Sequence, residues 1–142
     1  MIKYLAISVI LLFCGCDNLD LEKDAAYQDM RAAIANGAVA RGWIPSWVPT
    51  NATNLREAHD LDTNESLLLF HVPASSQIAL PESCKPAAAE SIATPNLERD
   101  WWPLDETSRK TYRLYQCSQG DPNEFVAVTS AGVVLHWRAH GR

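Results

Sequence analysis

The sequence has 142 residues, with 12 Lys and Arg against 17 Asp and Glu, which gives a formal net charge of −5 at pH 7. An acidic chain without a local cluster of basic residues repels phosphate backbones, so the charge argues against nucleic acid as a partner. The length suits a single domain that buries a real core.

The N-terminus has the pattern of an export signal. Lys3 precedes an apolar run over residues 5–13, which is far shorter than the ~20 residues that a transmembrane helix needs. The run ends in Phe13-Cys14-Gly15-Cys16, which resembles the lipobox of bacterial lipoproteins, although Phe13 departs from the usual leucine. The resemblance implies that residues 1–15 are a signal peptide and that Cys16 carries the lipid.

Two alternatives bear on the lipidated cysteine. Cys14 as the acceptor would place the bulky Phe13 at the cleavage site, and an ordinary secretory signal would make both cysteines incidental. Asp17-Asn18 resembles the enterobacterial signal that retains lipoproteins at the inner membrane. We therefore expect residues 16–142 to be a single periplasmic domain, lipid-anchored, with the inner membrane favoured.

Cys84 and Cys117 are the cysteines left to the exported domain. In an oxidising compartment they are expected to form a disulfide. Two isolated cysteines supply too few ligands for a zinc site, so we expect no metal and no cofactor.

Hydrophobic periodicity predicts one helix followed by about five strands. Residues 19–36 have a helical apolar stripe, and two prolines and two tryptophans in residues 42–49 favour an ordered loop over the core. Residues 55–62 and 66–72 are expected to form a hairpin with a solvated first strand, and three more strands are predicted at 111–117, 124–129 and 133–138. The predicted fold class is therefore α+β, with an N-terminal helix packed on an antiparallel sheet and one disulfide.

His59, Asp60 and Asp62 form the most suggestive polar cluster, and they are the functional candidates. Strand alternation places His59 on the face opposite the two aspartates, which favours turn and strand-end roles over a metal or acid/base site. No nucleophile elbow accompanies the histidines, and His136 is expected to face water. No catalytic residue is therefore assigned.

Several motifs resemble those of a family of small bacterial exported lipoproteins without an established activity. They are Gly42-Trp43-Ile44-Pro45, His59-Asp60-Leu61-Asp62-Thr63-Asn64, Trp101-Trp102-Pro103 and Tyr115-Gln116-Cys117. The resemblance implies an intact envelope domain and no particular reaction.

Three functions are left open. The favoured hypothesis is a non-catalytic lipoprotein that binds an envelope protein or assists an envelope assembly. A periplasmic inhibitor or immunity protein is an alternative, because Tyr115-Gln116-Cys117-Ser118-Gln119-Gly120 resembles the strand motif of membrane-bound lysozyme inhibitors. The third is a small hydrolase that uses His59 and Asp60.

Overall fold

Seven β-strands form one antiparallel sheet in the computed structural model, which describes residues 20–140 except Ser75, Gln119 and Asp121. In chain order the elements are β1 Glu22–Asp29, α1 Met30–Ala35, β2 Thr53–Asp60, β3 Ser66–His71, β4 Lys85–Pro86, β5 Arg113–Ser118, β6 Asn123–Val128 and β7 Val133–Ala139. Short 3-10 helices lie at Ala89–Ser91 and Ser108–Thr111.

The strand order is β1-β2-β3-β7-β6-β5-β4. β3 therefore pairs with the last strand, and Leu67 lies opposite Trp137 while Phe70 lies opposite Val134. This pairing joins the N-terminal strands to the C-terminal strands at the centre of the sheet. The central strands β3, β6 and β7 are almost continuously apolar because both of their faces are buried.

Each face of the sheet carries its own core. We call one the helix face, because α1 and residues 37–52 cover it, with Ile44 and Val48 buried against Phe70. The other, the loop face, is covered by residues 87–104, with Ile92 and Leu97 packed near Trp137. The loop predicted over residues 42–49 thus does fold over a core.

The predicted N-terminal helix is wrong over most of its length. Residues 22–29 form β1, in which Ala25 lies opposite Glu57 and Tyr27 opposite Leu55, and only residues 30–35 are helical. The helix begins where the Asp29 carboxylate accepts a hydrogen bond of 2.9 Å from the Ala32 amide. The α+β expectation is accordingly replaced by a fold that is mostly antiparallel sheet, with seven strands instead of five.

The later strands agree better with the positions predicted from the sequence. β2 and β3 form the expected hairpin, and β5, β6 and β7 lie at the three predicted C-terminal positions. The first strand of the hairpin is not solvated, however, because β1 pairs with its outer edge and both faces are covered. The disulfide between Cys84 and Cys117 is confirmed, with an S–S distance of 2.05 Å, and it fastens the two-residue β4 to β5.

Candidate functional site

A carboxylate–imidazole pair lies buried on the helix face of β2. Glu57 and His59 are two residues apart on one strand, so both side chains point to the same side. Glu57 Oε2 and His59 Nδ1 are 2.8 Å apart, and the two residues are only 2% and 6% exposed. Burial raises the pKa of the Glu57 carboxyl and outweighs the opposing hydrogen bond from His59.

A stack of side chains from residues 37–52 covers this pair. The Trp43 ring lies 4.2 Å from the His59 ring between centroids, and the Arg41 guanidinium carbon lies 4.0 Å from the centre of the Trp43 ring. Arg41 is held there because its Nη1 and Nη2 donate to the carbonyl and side-chain oxygens of Asn36, at 3.0 and 2.9 Å. The cover is therefore tied to the end of α1.

A pocket of about 160 Å³ opens beside the stack. Its lining residues are Arg41, Gly42, Trp43, His59, Asp60, Leu61, Asn64, Ser66 and Arg138. His59 Nε2 and Glu57 Oε1 are buried and have no hydrogen-bond partner among the described residues. A buried polar atom without a partner costs free energy, and of these two residues His59 lines the pocket, so a ligand there could supply the hydrogen bond that Nε2 lacks.

The three sequence candidates lie in different environments. His59 is bonded to Glu57 and to neither aspartate. The Asp60 carboxylate accepts hydrogen bonds from the Asp62 and Thr63 amides, at 2.7 and 3.2 Å, and these bonds hold the pKa of Asp60 below its usual value. Asp62 is exposed and does not line the pocket. The pocket thus joins His59 and Asp60 but leaves Asp62 outside.

A second carboxylate–imidazole pair lies on the same face. His136 Nε2 and Glu124 Oε1 are 2.6 Å apart, and the Trp47 ring meets the His136 ring edge-on at 5.7 Å. The expectation that His136 faces water is wrong, because β7 is central and the residue is 2% exposed. Arg138, two residues further along β7, brings the end of this strand to the pocket.

The sequence missed Glu57, Arg41, Trp43 and Arg138 as members of a site. The spacing of Glu57 and His59 was a usable signal, since residues i and i+2 of a strand share a face. The expectation of a solvated strand gave this spacing no functional meaning. No local signal pointed to Arg138, because only the pairing of β3 with β7 brings it to the pocket.

Comparison with protein families matches residues 22–71 to the model of the YbbD head domain. The match covers about a third of the chain, namely β1, α1, β2 and β3, and it contains every pocket residue except Arg138. Neither the curated proteins nor the solved structures gave a match to this chain. The expected relationship to a bacterial family is thus supported in part, through a segment similar to a YbbD head domain.

Membrane attachment and metal binding are the remaining features that the sequence addresses. The signal peptide at residues 1–15, the lipidation site Cys16 and the Asp17-Asn18 pair lie outside them. Within them, no helix is long and apolar enough to cross a membrane, and no group of three or more His, Cys, Asp and Glu side chains could hold a metal ion.

Proposed function

We propose that this chain is a lipid-anchored bacterial envelope protein that works by binding a partner protein at the pocket beside Trp43. The observation that carries the proposal is the buried His59 Nε2, which lacks a partner at the wall of a pocket built from held side chains. At about 160 Å³ the pocket is smaller than the roughly 300–1,000 Å³ typical of small-molecule sites, and it suits one side chain or chain end of a larger partner.

The envelope location rests on the lipobox and on the chain that follows it. Only a few residues separate Cys16 from β1, so a lipid on Cys16 would hold the domain close to the membrane. Metabolic labelling with a fatty-acid analogue tests the anchor. Label and membrane fractionation should disappear in Cys16→Ala, and retention of both in that variant would reject the lipid anchor.

Site-specific photo-crosslinking in living cells tests the binding site. Leu61 lines the pocket and Ile34 lies on α1, and both are 56% exposed, so they form a matched pair of positions for a photoreactive residue. The expected result is a discrete crosslinked product from position 61 that is absent from position 34. Equal products from both positions, or none from position 61, would contradict the proposal.

A small hydrolase is the second candidate, because a carboxylate bonded to Nδ1 with Nε2 left open is the arrangement of a general base. Ser66 is the hydroxyl residue of the pocket lining. A serine-directed fluorophosphonate probe separates the two candidates. Labelling that is lost in both Ser66→Ala and His59→Gln would favour the hydrolase over the binding protein.

A further inference from the structure

We infer that the pocket beside Trp43 takes a carboxylate, either an acidic side chain or the terminal carboxylate of the partner protein. This inference rests on the proposed function and adds the chemistry of the group recognised. It is carried by three donors that converge on one small space and by the sign of the charge around them.

Arg138 is the first donor. Its side chain lines the pocket, and among the described residues it makes neither a hydrogen bond nor an ion pair. The Glu124 carboxylate lies opposite Arg138 on β6 and interacts with it electrostatically, but its hydrogen bond goes to His136, so the N–H groups of Arg138 remain available. A planar guanidinium offers five N–H groups in a fork that matches the two oxygens of a carboxylate.

His59 and Arg41 provide the other donors. His59 is bonded through Nδ1 to the Glu57 carboxyl, and its Nε2 lies at the pocket wall without a partner, where an Nε2–H would donate to an anion. Arg41 uses Nη1 and Nη2 on Asn36, so further N–H groups of its guanidinium remain. Because Arg41 is held against Trp43, little side-chain entropy is lost when it receives an anion.

The charged groups of the lining favour a monoanion. The guanidinium groups of Arg41 and Arg138 share the lining with a single carboxylate, that of Asp60. Because Glu124 lies opposite Arg138 just outside the lining, the surroundings suit a monoanion such as a carboxylate better than a phosphate dianion. Trp43 and Leu61 add apolar walls for the atoms that carry the carboxylate.

The test is a titration of the full chain, purified in detergent, with acetate, with its neutral counterpart acetamide, and with inorganic phosphate at constant ionic strength. The His59 and Trp43 ring resonances report binding. Acetate should shift both saturably, acetamide should not, and phosphate should bind more weakly than acetate. Arg138→Gln should weaken acetate binding about tenfold, the effect of one charge-assisted hydrogen bond. Arg113→Gln, an arginine of β5 outside this pocket, should leave acetate binding unchanged.

Equal shifts from acetamide, tighter binding of phosphate, or an Arg138→Gln variant that binds acetate normally would each overturn the inference. The comparison of acetate with acetamide needs no variant, so it decides the matter even where Arg138→Gln fails to fold. Crosslinking at position 61 without acetate binding would reject the carboxylate and keep the binding function. Acetate binding without crosslinking would keep the carboxylate site and reject the protein-binding function.

Discussion

Two buried glutamates, Glu57 on β2 and Glu65 in the turn before β3, differ in how their carboxylates are satisfied. Glu65 accepts hydrogen bonds from the amide and side chain of Asn96 and from the amide of His140, all between 3.1 and 3.2 Å. Glu57 has one bonded oxygen and one without a partner. A buried carboxylate is tolerated when it is hydrogen-bonded, so we interpret Glu65 as a structural residue. Glu57, with one oxygen unbonded, belongs to the candidate site.

Glu124→Gln tests the second carboxylate–imidazole pair. The hydrogen bond from His136 holds the pKa of Glu124 below its usual value, so the folded state favours the charged carboxylate. Stability from this pair is therefore present above the unfolded pKa of Glu, about 4.3, and is lost as the pH falls through the lower folded pKa. We expect the variant to lose about 1–2 kcal/mol of unfolding free energy at pH 7 and much less near pH 3.

Urea unfolding at a series of pH values measures the effect. Glu106→Gln is the control, because Glu106 is exposed and its removal should change the unfolding free energy little at any pH. A deficit for Glu124→Gln that is the same at pH 3 and pH 7 would contradict the ionic origin of the stabilisation.

At the scale of single residues, the sequence could identify His59 but not its surroundings. A histidine on a predicted strand stands out in the sequence, whereas its burial depends on what covers the strand. That cover comes from Trp43, Arg41 and the partner strand β1, and none of these is fixed by residues next to His59. The sequence therefore identified His59 but not its burial, because burial is a property of the assembled sheet.

At the scale of elements, alternation and turn residues were sufficient for the hairpin and for β5, β6 and β7. They failed at residues 22–29, where Ala25 and Tyr27 fit a two-residue period as well as a helical one. Tyr27, Met30 and Ala33 are all buried, so the apolar stripe was real although it crosses from strand to helix. Pairing with β2 decided the outcome, and that partner lies 20 or more residues away.

The turn between β6 and β7 depends on Gly132. Its φ is +86°, its carbonyl accepts from the Val72 amide at 2.9 Å, and a Cβ at this position would overlap the Val72 carbonyl oxygen. Gly132→Ala should therefore cost about 1–2 kcal/mol for the left-handed backbone and a further 1–3 kcal/mol for the overlap.

Gly42→Ala is the matched control for Gly132→Ala. Gly42 has a similar φ of +77°, but nothing lies within 4 Å of a Cβ built there, so only the backbone cost of about 1–2 kcal/mol applies. Thermal or urea unfolding of both variants makes the comparison. Equal losses in the two variants would show that Val72 yields to the added methyl group.

The disulfide should contribute more to holding β4 on the sheet than the pairing of this short strand with β5 does. β4 has two residues, and Cys84 and Cys117 are separated by 33 residues of chain. On the loop-entropy estimate, the double change Cys84→Ala with Cys117→Ala should lower the unfolding free energy by about 3–4 kcal/mol. Wild type in reductant should unfold like the double variant, and an unchanged unfolding midpoint in either case would refute the estimate.

At the scale of the whole molecule, the order of strands decides both fold and site. β3 lies between β2 and β7, so the first and second halves of the chain share one sheet and both cores. A strand order of this kind depends on long-range pairing, which local periodicity does not encode. The same pairing brings Arg138 to a pocket whose other residues come from 41–66.

The segment that resembles a YbbD head domain should therefore not fold alone in this chain. Without β7, the edge of β3 would be unpaired, and Leu67 and Leu69 would lose Leu135 and Trp137 on the loop face. We expect a fragment of residues 16–72 to give a poorly dispersed amide spectrum and no cooperative melting transition. Mixing it with residues 73–142, which retain the disulfide, should restore dispersion, because the strands of the two fragments meet along the whole β3–β7 ladder. A cooperative melt of residues 16–72 alone would show that three strands and α1 form an independent unit, and that the sheet is two units joined at β3 and β7.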